Sequence, residues 1–281
     1  MRAVAGPGRW VWGLSGVVTV LALAVSGLVL AAAGSHRQPP PQETLTRRVT
    51  LVQPVTSLTV QSYGGPVRVT SGSAGRVQIS ETITYEYGSQ AGGPPAVTES
   101  LSRGHLILAD PACLQVFPCV VGFAVTVPPG VTVTAMTDGG PLTVSGTGAA
   151  NLDSGGAPVS ATRIGGPLTV STEGGPLLVD GLSGALRADT GGGSLTALGV
   201  GAAAATASTD GGDVRIAFSA APQQVTVSTA GGLAALTVPG GPYALTADSS
   251  GGPQSVGIAT DPSARRSITV TTGGGPVQIA P

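Results

Sequence analysis

Lysine is absent from this 281-residue chain, and aromatic residues, cysteine and histidine are scarce. All 13 basic residues are arginine, the net charge is −1, 3% of the residues are aromatic, and there are 2 cysteines and 2 histidines. A net charge this close to zero does not predict a nucleic-acid or other polyanionic partner. Two cysteines are too few ligands for a structural zinc ion. The scarcity of histidine leaves few general bases for nucleophilic catalysis.

Glycine and proline, in contrast, are abundant, with 45 and 23 residues. Paired glycines, often followed by proline, precede short stretches of alternating apolar and polar residues. Paired glycines supply turn conformations, proline suits the first residue of a strand, and the alternation predicts a strand with one buried face. Each copy therefore predicts a turn that starts a strand. Clear copies are GGPVRV at 64–69, GGPLTV at 139–144 and 165–170, GGPLLV at 174–179 and GGPVQI at 274–279.

A second strand-like run lies between successive copies, for example VTVST at 225–229 and ITVTT at 268–272. From Gly192 onward, the glycine pairs at 192, 211, 231, 251 and 274 are 19, 20, 20 and 23 residues apart. Two strands and two turns in about 20 residues predict an all-β fold, a β-solenoid of stacked coils. We assign this solenoid to residues 138–281 and an irregular β part to residues 49–137. An antiparallel β-sandwich is the alternative fold.

The N-terminal region predicts a membrane anchor. Residues 10–33 carry no charge and, as a helix, are long enough to cross a lipid bilayer. This predicts a single-pass protein of the cell membrane, with residues 1–9 as a short cytoplasmic tail and residues 34–281 extracytoplasmic. The alternative is a secreted protein whose signal peptide is cleaved, because Ala31 and Ala33 form a small-residue cleavage pattern. The proline-rich residues 34–48 predict an extended spacer.

Few residues are candidates for chemistry. Cys113 and Cys119 lie six positions apart and predict a local disulfide in an exported domain. His105 is expected to be half-exposed on a strand. Glu81 interrupts the apolar face of a long strand; an edge position explains it, and a functional carboxylate is the alternative. The sequence predicts no catalytic, cofactor-binding or metal-binding residue.

Acidic residues precede several glycine pairs. Aspartate before glycine commonly forms a turn by hydrogen-bonding its own backbone. Stacked coils would alternatively align the carboxylates as a weak cation site. The offset from the glycines varies and the calcium-binding nonapeptide pattern is absent, so turn formation is favoured. These residues are Asp138, Asp153, Glu173, Asp189, Asp210 and Asp248.

The stretch VPPG, followed by VTVTAMTDGGPLTVSGTGAANLDSGGAPVSATRIGGPLTV, resembles the bacterial putative-adhesin family of β-strand-repeat proteins. The family is long known as a domain of unknown function, and the resemblance covers approximately residues 50–281. It implies an extracytoplasmic, membrane-anchored β-solenoid and no catalytic residues. Proline after the glycine pair differs from the aspartate or serine that is commoner in the family.

Two classes of function follow. The first is a noncatalytic, membrane-anchored surface module, an adhesin or an envelope-sensing module, with an envelope protein or a glycan as its partner. The alternative is a polysaccharide-active β-helix enzyme, in which acidic side chains of different coils must meet in a concave pocket. Such enzymes usually also use aromatic platforms, and after Gly139 the only aromatic residues are Phe218 and Tyr243. The sequence therefore favours the noncatalytic module.

Overall fold

The computed structural model of the chain describes residues 42–73, 75–86, 96–110 and 119–281. These residues form 23 β-strands. No helix within these ranges has the length and apolar character needed to span a bilayer. The predicted tail (1–9), the predicted anchor (10–33) and the first part of the predicted spacer lie outside the described residues. Residues 42–48 of the predicted spacer instead belong to strand β1 (Gln42–Leu51), because β4 (Val77–Glu86) pairs with all of it.

The remaining strands are connected mainly by tight turns. Before the regular repeat they are β2 (Ser57–Ser62), β3 (Val67–Ser71), β5 (Thr98–Ser102), β6 (His105–Ala109) and β7 (Cys119–Val127). The regular repeat comprises β8 (Thr132–Thr137), β9 (Leu142–Ser145), β10 (Ala150–Ser154), β11 (Val159–Ile164), β12 (Leu168–Thr172), β13 (Leu177–Leu182), β14 (Leu186–Thr190), β15 (Leu195–Val200), β16 (Ala204–Thr209), β17 (Val214–Phe218), β18 (Gln224–Thr229) and β19 (Ala234–Thr237). The last four are β20 (Ala244–Asp248), β21 (Gln254–Val256), β22 (Ser267–Thr272) and β23 (Val277–Ala280).

The strands form two large sheets. Sheet 1 has the order β1-β4-β7-β3-β9-β11-β13-β15-β17-β19-β23-β21, and sheet 2 has the order β20-β22-β18-β16-β14-β12-β10-β8-β2-β6-β5. In the regular part each strand pairs in parallel with the second strand after it, for example β10 with β12 and β11 with β13. Each coil therefore contributes one strand to each sheet. This is the arrangement of a β-solenoid and not of an antiparallel sandwich.

Coil length follows from the register of the parallel pairs. Ala150 pairs with Leu168, a separation of 18 residues. Leu186 pairs with Ala205, a separation of 19, and Ala205 pairs with Val225, a separation of 20. The predicted period of about 20 residues is thus close to the coil length, which grows along the chain.

The core lies between the two sheets. Strand alternation directs Leu168 and Val170 inward from sheet 2, and Leu177 and Val179 inward from sheet 1, and all four are buried. One hydrophobic cluster extends through the coils from Val55 to Ile279. The strands of residues 49–137 therefore share their core with the repeat.

Buried hydroxyl groups close the turns at the end of the sheet 2 strands. In eight of these strands a buried serine or threonine ends the strand, or directly follows it in the case of β20, and its hydroxyl donates to the carbonyl of the residue three positions later. Thr137 bonds Gly140 in this way at 2.9 Å, and Thr172 bonds Gly175 at 2.9 Å. The second glycine of the pair lies against the preceding coil, since a Cβ on Gly140 would be 2.0 Å from the carbonyl oxygen of Gly65. The same hydroxyl bond is made by Ser62, Ser154, Thr190, Thr229, Ser249 and Thr272.

At the N-terminal end of the solenoid, sheet 1 continues as an antiparallel segment. Strand β4 lies between β1 and β7, so Glu81 is not at a sheet edge and the predicted edge position is wrong. The side chain of Glu81 is 0% exposed. Arg47 on β1 connects it to sheet 2, with Nη1 3.5 Å from Glu81 Oε2 and Nη2 2.7 Å from Glu99 Oε2. Burial raises the pKa of Glu81, while Arg47 lowers it and Glu99 raises it further.

Both ends of the solenoid depart from sequential stacking. At the C-terminal end, β22 pairs with β18 on one side and with β20 on the other. The last coil in sequence, β22/β23, is therefore inserted beneath the coil β20/β21. At the other end, the coil β2/β3 lies between β6/β7 and β8/β9 in the same manner.

Candidate functional site: a hydroxyl face and the cleft beside it

The outward side of sheet 2 carries a row of threonines. Because side chains alternate between the faces of a strand, the middle outward residue of each coil aligns with that of the next coil at a spacing of about 4.8 Å. Seven of the ten residues in this row are threonine. We call this surface the hydroxyl face. From the N-terminal end the row reads Ile107, Thr59, Thr134, Asn151, Thr169, Arg187, Thr206, Thr226, Thr269 and Thr246.

Sheet 1 provides an internal comparison. Its corresponding outward row contains only two threonines in ten positions. Both rows lie on solvent-facing strands of the same solenoid, so strand propensity acts equally on both. Strand propensity alone therefore does not explain the threonines of sheet 2. The sheet 1 row reads Ala124, Arg68, Thr143, Ser160, Leu178, Thr196, Arg215, Ala235, Gln278 and Ser255.

The predicted turn acids gather along one edge of the hydroxyl face. Asp153 and Asp189 are outward residues near the ends of β10 and β14, and each is followed by Ser or Thr and then Gly. Asp138, Glu173 and Asp210 instead occupy the turn position directly after β8, β12 and β16. Five successive coils thus each contribute one carboxylate, alternating between two positions.

In the coils that contain Asp153 and Asp189, a glycine occupies the turn position that carries the carboxylate in the neighbouring coils. This glycine makes room for the carboxylate of the adjacent coil. A Cβ on Gly155 would lie 2.8 Å from Oδ1 of Asp138 on the preceding coil. A side chain there would therefore displace the carboxylate. The alternation of the carboxylates between two positions also keeps like charges from stacking directly on each other, which would be unfavourable.

The prediction that these aspartates bond their own turns holds for one of them. Asp248 accepts a hydrogen bond from the N–H of Ser250 at 2.9 Å. The carboxylates of Asp138, Asp153, Asp189 and Asp210 point to solvent without a hydrogen bond within the described residues, because the buried Ser and Thr hydroxyls already close the turns. In the described part of the chain, no three His, Cys, Asp or Glu side chains form a group that could hold a metal ion.

A cleft of about 220 Å³ lies where the acidic edge begins. Three carboxylates from successive coils line it together with an aromatic ring and a methionine. Tyr63 is 37% exposed and Met136 is 41% exposed, so the cleft also presents apolar surface. The lining residues are Gln61, Ser62, Tyr63, Met136, Thr137, Asp138, Asp153, Gly155 and Glu173.

A buried aspartate positions Tyr63. The backbone N–H of Tyr63 lies 3.1 Å from Oδ1 and 3.3 Å from Oδ2 of Asp110. Asp110 is 1% exposed. Burial raises the pKa of its carboxyl from 3.8 to about 6, although the hydrogen bond from Tyr63 acts in the opposite direction.

His105 is half-buried on the outer side of sheet 2, as predicted. Its Nδ1 is 2.7 Å from the hydroxyl of Ser57, and its Nε2 is 3.3 Å from that of Thr59. Among the described residues no carboxylate bonds the imidazole, so this serine–histidine pair lacks the third group that orients the base in a catalytic triad. Sequence reasoning missed the pair because Ser57 and His105 meet only through the parallel pairing of β2 and β6.

Cys119 begins β7 and is buried. The described residues contain no free cysteine. Cys113 lies outside the described residues, so its disulfide with Cys119 stays a prediction.

The fold and the two outward rows define a class of protein, a two-sheet parallel β-solenoid with one hydroxyl-rich face. No protein-family model matches the chain, and no curated protein matches it. Among solved structures, it is similar to a putative adhesin from Bacteroides fragilis, with 14% identity, a TM-score of 0.47, and coverage of 85% of this chain and 98% of that chain.

Two further solved structures are similar. A putative adhesin from Parabacteroides merdae has 11% identity and a TM-score of 0.44, covering 85% of this chain and 97% of that chain. A putative cell adhesion protein from Clostridium sporogenes has 11% identity and a TM-score of 0.24, covering 84% of this chain and 99% of that chain. The proteins from Bacteroides fragilis and Parabacteroides merdae are thus both named putative adhesins, like the family that the sequence resembles.

Proposed function

We propose that the chain is a noncatalytic, adhesin-like binding module of the cell envelope, anchored in the membrane through residues 10–33 and binding through its hydroxyl face. The observation that supports this is the contrast between the outward rows, with seven threonines on sheet 2 and two on sheet 1. A β-branched threonine has few χ1 rotamers, so its hydroxyl is held in place before a ligand arrives. Preorganised groups lose little entropy on binding, which favours affinity.

Pelleting with envelope material tests the binding face. The full chain, in mild detergent, is mixed with detergent-extracted envelope fragments of the producing cells. Thr206→Gln with Thr226→Gln adds bulk to the hydroxyl face, and Thr143→Gln with Thr196→Gln is the matched pair on sheet 1. We expect the sheet 2 pair to weaken binding by about tenfold, or about 1.4 kcal/mol, and the sheet 1 pair to leave it unchanged. Equal losses in the two pairs would exclude the hydroxyl face.

Protease treatment of intact cells tests the anchored, extracytoplasmic topology. We expect loss of residues 42–281 from intact cells, because the anchor would place them outside the membrane. Full protection in intact cells, with cleavage after lysis, would contradict this part of the proposal.

A polysaccharide-cleaving enzyme is the second candidate, and the cleft is the observation that favours it. Asp138, Asp153 and Glu173 come from different coils and meet in one concave site, as such an enzyme requires. Glycoside hydrolysis also needs one carboxyl that stays protonated as the general acid, and burial is the usual means. All three residues are exposed, so the noncatalytic function is favoured. Release of reducing ends by the full chain, abolished in Asp138→Asn, would establish the enzyme instead.

A further inference from the structure

The cleft and the hydroxyl face are one continuous surface. Gln61, Met136 and Asp153 line the cleft and also occupy successive positions of the outward row beside the threonine row. They lie two residues after Thr59, Thr134 and Asn151 on the same strands. A ligand that runs along the hydroxyl face therefore reaches the cleft at the N-terminal end of the solenoid.

The lining of the cleft combines the groups that recognise a sugar ring. A sugar presents apolar C–H faces and hydroxyl edges. The exposed ring of Tyr63 and the thioether of Met136 offer apolar surface for such a face. The carboxylates of Asp138 and Asp153, which accept no hydrogen bond from any described residue, are strong acceptors for hydroxyl groups.

The charged side chains around the cleft limit the class of sugar that it can bind. Among the residues that the structure describes, three carboxylates and no basic side chain line the cleft. Two more carboxylates, Asp189 and Asp210, continue the acidic edge, and Arg187 is the one arginine in the threonine row. An acidic polysaccharide would bring like charges together, which disfavours its binding. The surface therefore fits an uncharged chain.

We infer that the cleft and the hydroxyl face together bind a single chain of an uncharged polysaccharide along the solenoid axis. This inference rests on the proposed binding function and names its ligand class. The coil spacing of about 4.8 Å repeats the same hydroxyl group many times, which suits a polymer of repeating units. A basic peptide would satisfy the acidic edge but would leave the threonine row without a role.

Affinity electrophoresis of the full chain in native gels tests the inference. The gels contain an uncharged polysaccharide (dextran, mannan, galactan or β-glucan), an acidic one (alginate or pectate), or polylysine. Tyr63→Ser and Asp153→Asn alter the cleft. Leu178→Ala and Asp180→Asn, at exposed positions of sheet 1, are the matched controls. Circular dichroism verifies that each variant is folded.

We expect at least one uncharged polysaccharide to retard the chain, Tyr63→Ser and Asp153→Asn each to weaken binding by about tenfold, and the controls to leave it unchanged. Retardation only by alginate, pectate or polylysine would overturn the inference, as would binding that is insensitive to the cleft variants. Lack of retardation by every polymer would overturn it too. Envelope pelleting that still responds to Thr206→Gln and Thr226→Gln would then leave the proposed function standing with a different ligand.

Discussion

Tyr63 and Asp110 are joined across the solenoid end by the backbone N–H of Tyr63, which lies 3.1 Å from Oδ1 of the buried Asp110 carboxylate. The two residues are 47 positions apart, and each follows the end of a sheet 2 strand. This contact holds the backbone of the aromatic residue that lines the cleft. The group that holds Tyr63 in place, the Asp110 carboxyl, is therefore an ionisable group with a raised pKa.

The first prediction concerns pH. The pKa of Asp110 is raised from 3.8 to about 6, so the folded state binds more protons than the unfolded state in this window. Stability therefore falls as pH rises from 3.8 to 6. Asp110→Asn keeps an oxygen acceptor for Tyr63 and removes the titration. Between pH 4 and pH 7, we expect the free energy of unfolding of Asp110→Asn to gain about 1–3 kcal/mol relative to the unaltered chain.

Urea unfolding of both proteins at several pH values measures this difference. Asp180→Asn, at an exposed aspartate of sheet 1, is the control and should show no such gain. A gain for Asp110→Asn that is constant across the range, or that grows as pH falls, would contradict the prediction.

The second prediction concerns the buried hydroxyls. Thr172→Val keeps the shape of the side chain but leaves the carbonyl of Gly175 without its donor. We expect a loss of about 1–3 kcal/mol in the free energy of unfolding, because an unpaired buried acceptor pays its desolvation cost. Ser171→Ala, on the adjacent exposed position, should change it by less than about 0.5 kcal/mol. Urea titration of the two variants checks this, and equal effects would rule out a special role for the hydroxyl.

The third prediction separates the two glycines of one pair. A Cβ on Gly175 would lie 2.1 Å from the carbonyl oxygen of Ala157, whereas a Cβ on Gly174 would have nothing within 4 Å. Gly175→Ala must therefore push neighbouring coils apart, and we expect it to cost about 1–3 kcal/mol or more. Gly174→Ala should be tolerated within about 1 kcal/mol. Thermal unfolding of both variants tests this, and a tolerated Gly175→Ala would mean that the coils pack less closely.

The fourth prediction concerns the ion pair at the N-terminal end. Arg47→Met removes the cation next to the buried Glu81 and should destabilise the fold by about 1–3 kcal/mol at pH 7. Since Arg47 lowers the pKa of Glu81, the loss should shrink as pH falls and the carboxyl becomes protonated. Arg48→Met is the control, because this exposed neighbour on β1 makes no ion pair within the described residues. A loss that grows toward low pH in urea titrations would contradict the assignment.

The coils could be predicted from the sequence because their signals are local. Each glycine pair and its alternating strand lie within about ten residues, as Gly174 to Leu182 illustrates. The buried hydroxyls were also visible in principle, since Thr172, Thr190, Thr209, Thr229 and Thr272 each come three residues before the second glycine of a pair. The sequence does not show, however, that the hydroxyl groups of these threonines are buried.

The order of coils at both ends was beyond sequence reasoning. The 23 residues between the last two glycine pairs resemble an ordinary coil spacing. Val225 nevertheless pairs with Ile268, 43 residues later, because β22/β23 is inserted next to β18/β19. In the same way Ser62 pairs with Thr137, which brings Tyr63 beside Asp138. The cleft depends on this long-range pairing, and a search for aromatic residues after Gly139 could not find it.

Photo-crosslinking in intact cells tests most directly whether the hydroxyl face is the binding surface. A benzophenone amino acid replaces Thr206 on sheet 2 or Thr196 on sheet 1, both outward residues of neighbouring coils. After irradiation, we expect position 206 to crosslink to envelope material and position 196 to give only background yield. Equal yields at the two positions, or crosslinking from position 196 alone, would contradict binding through the hydroxyl face.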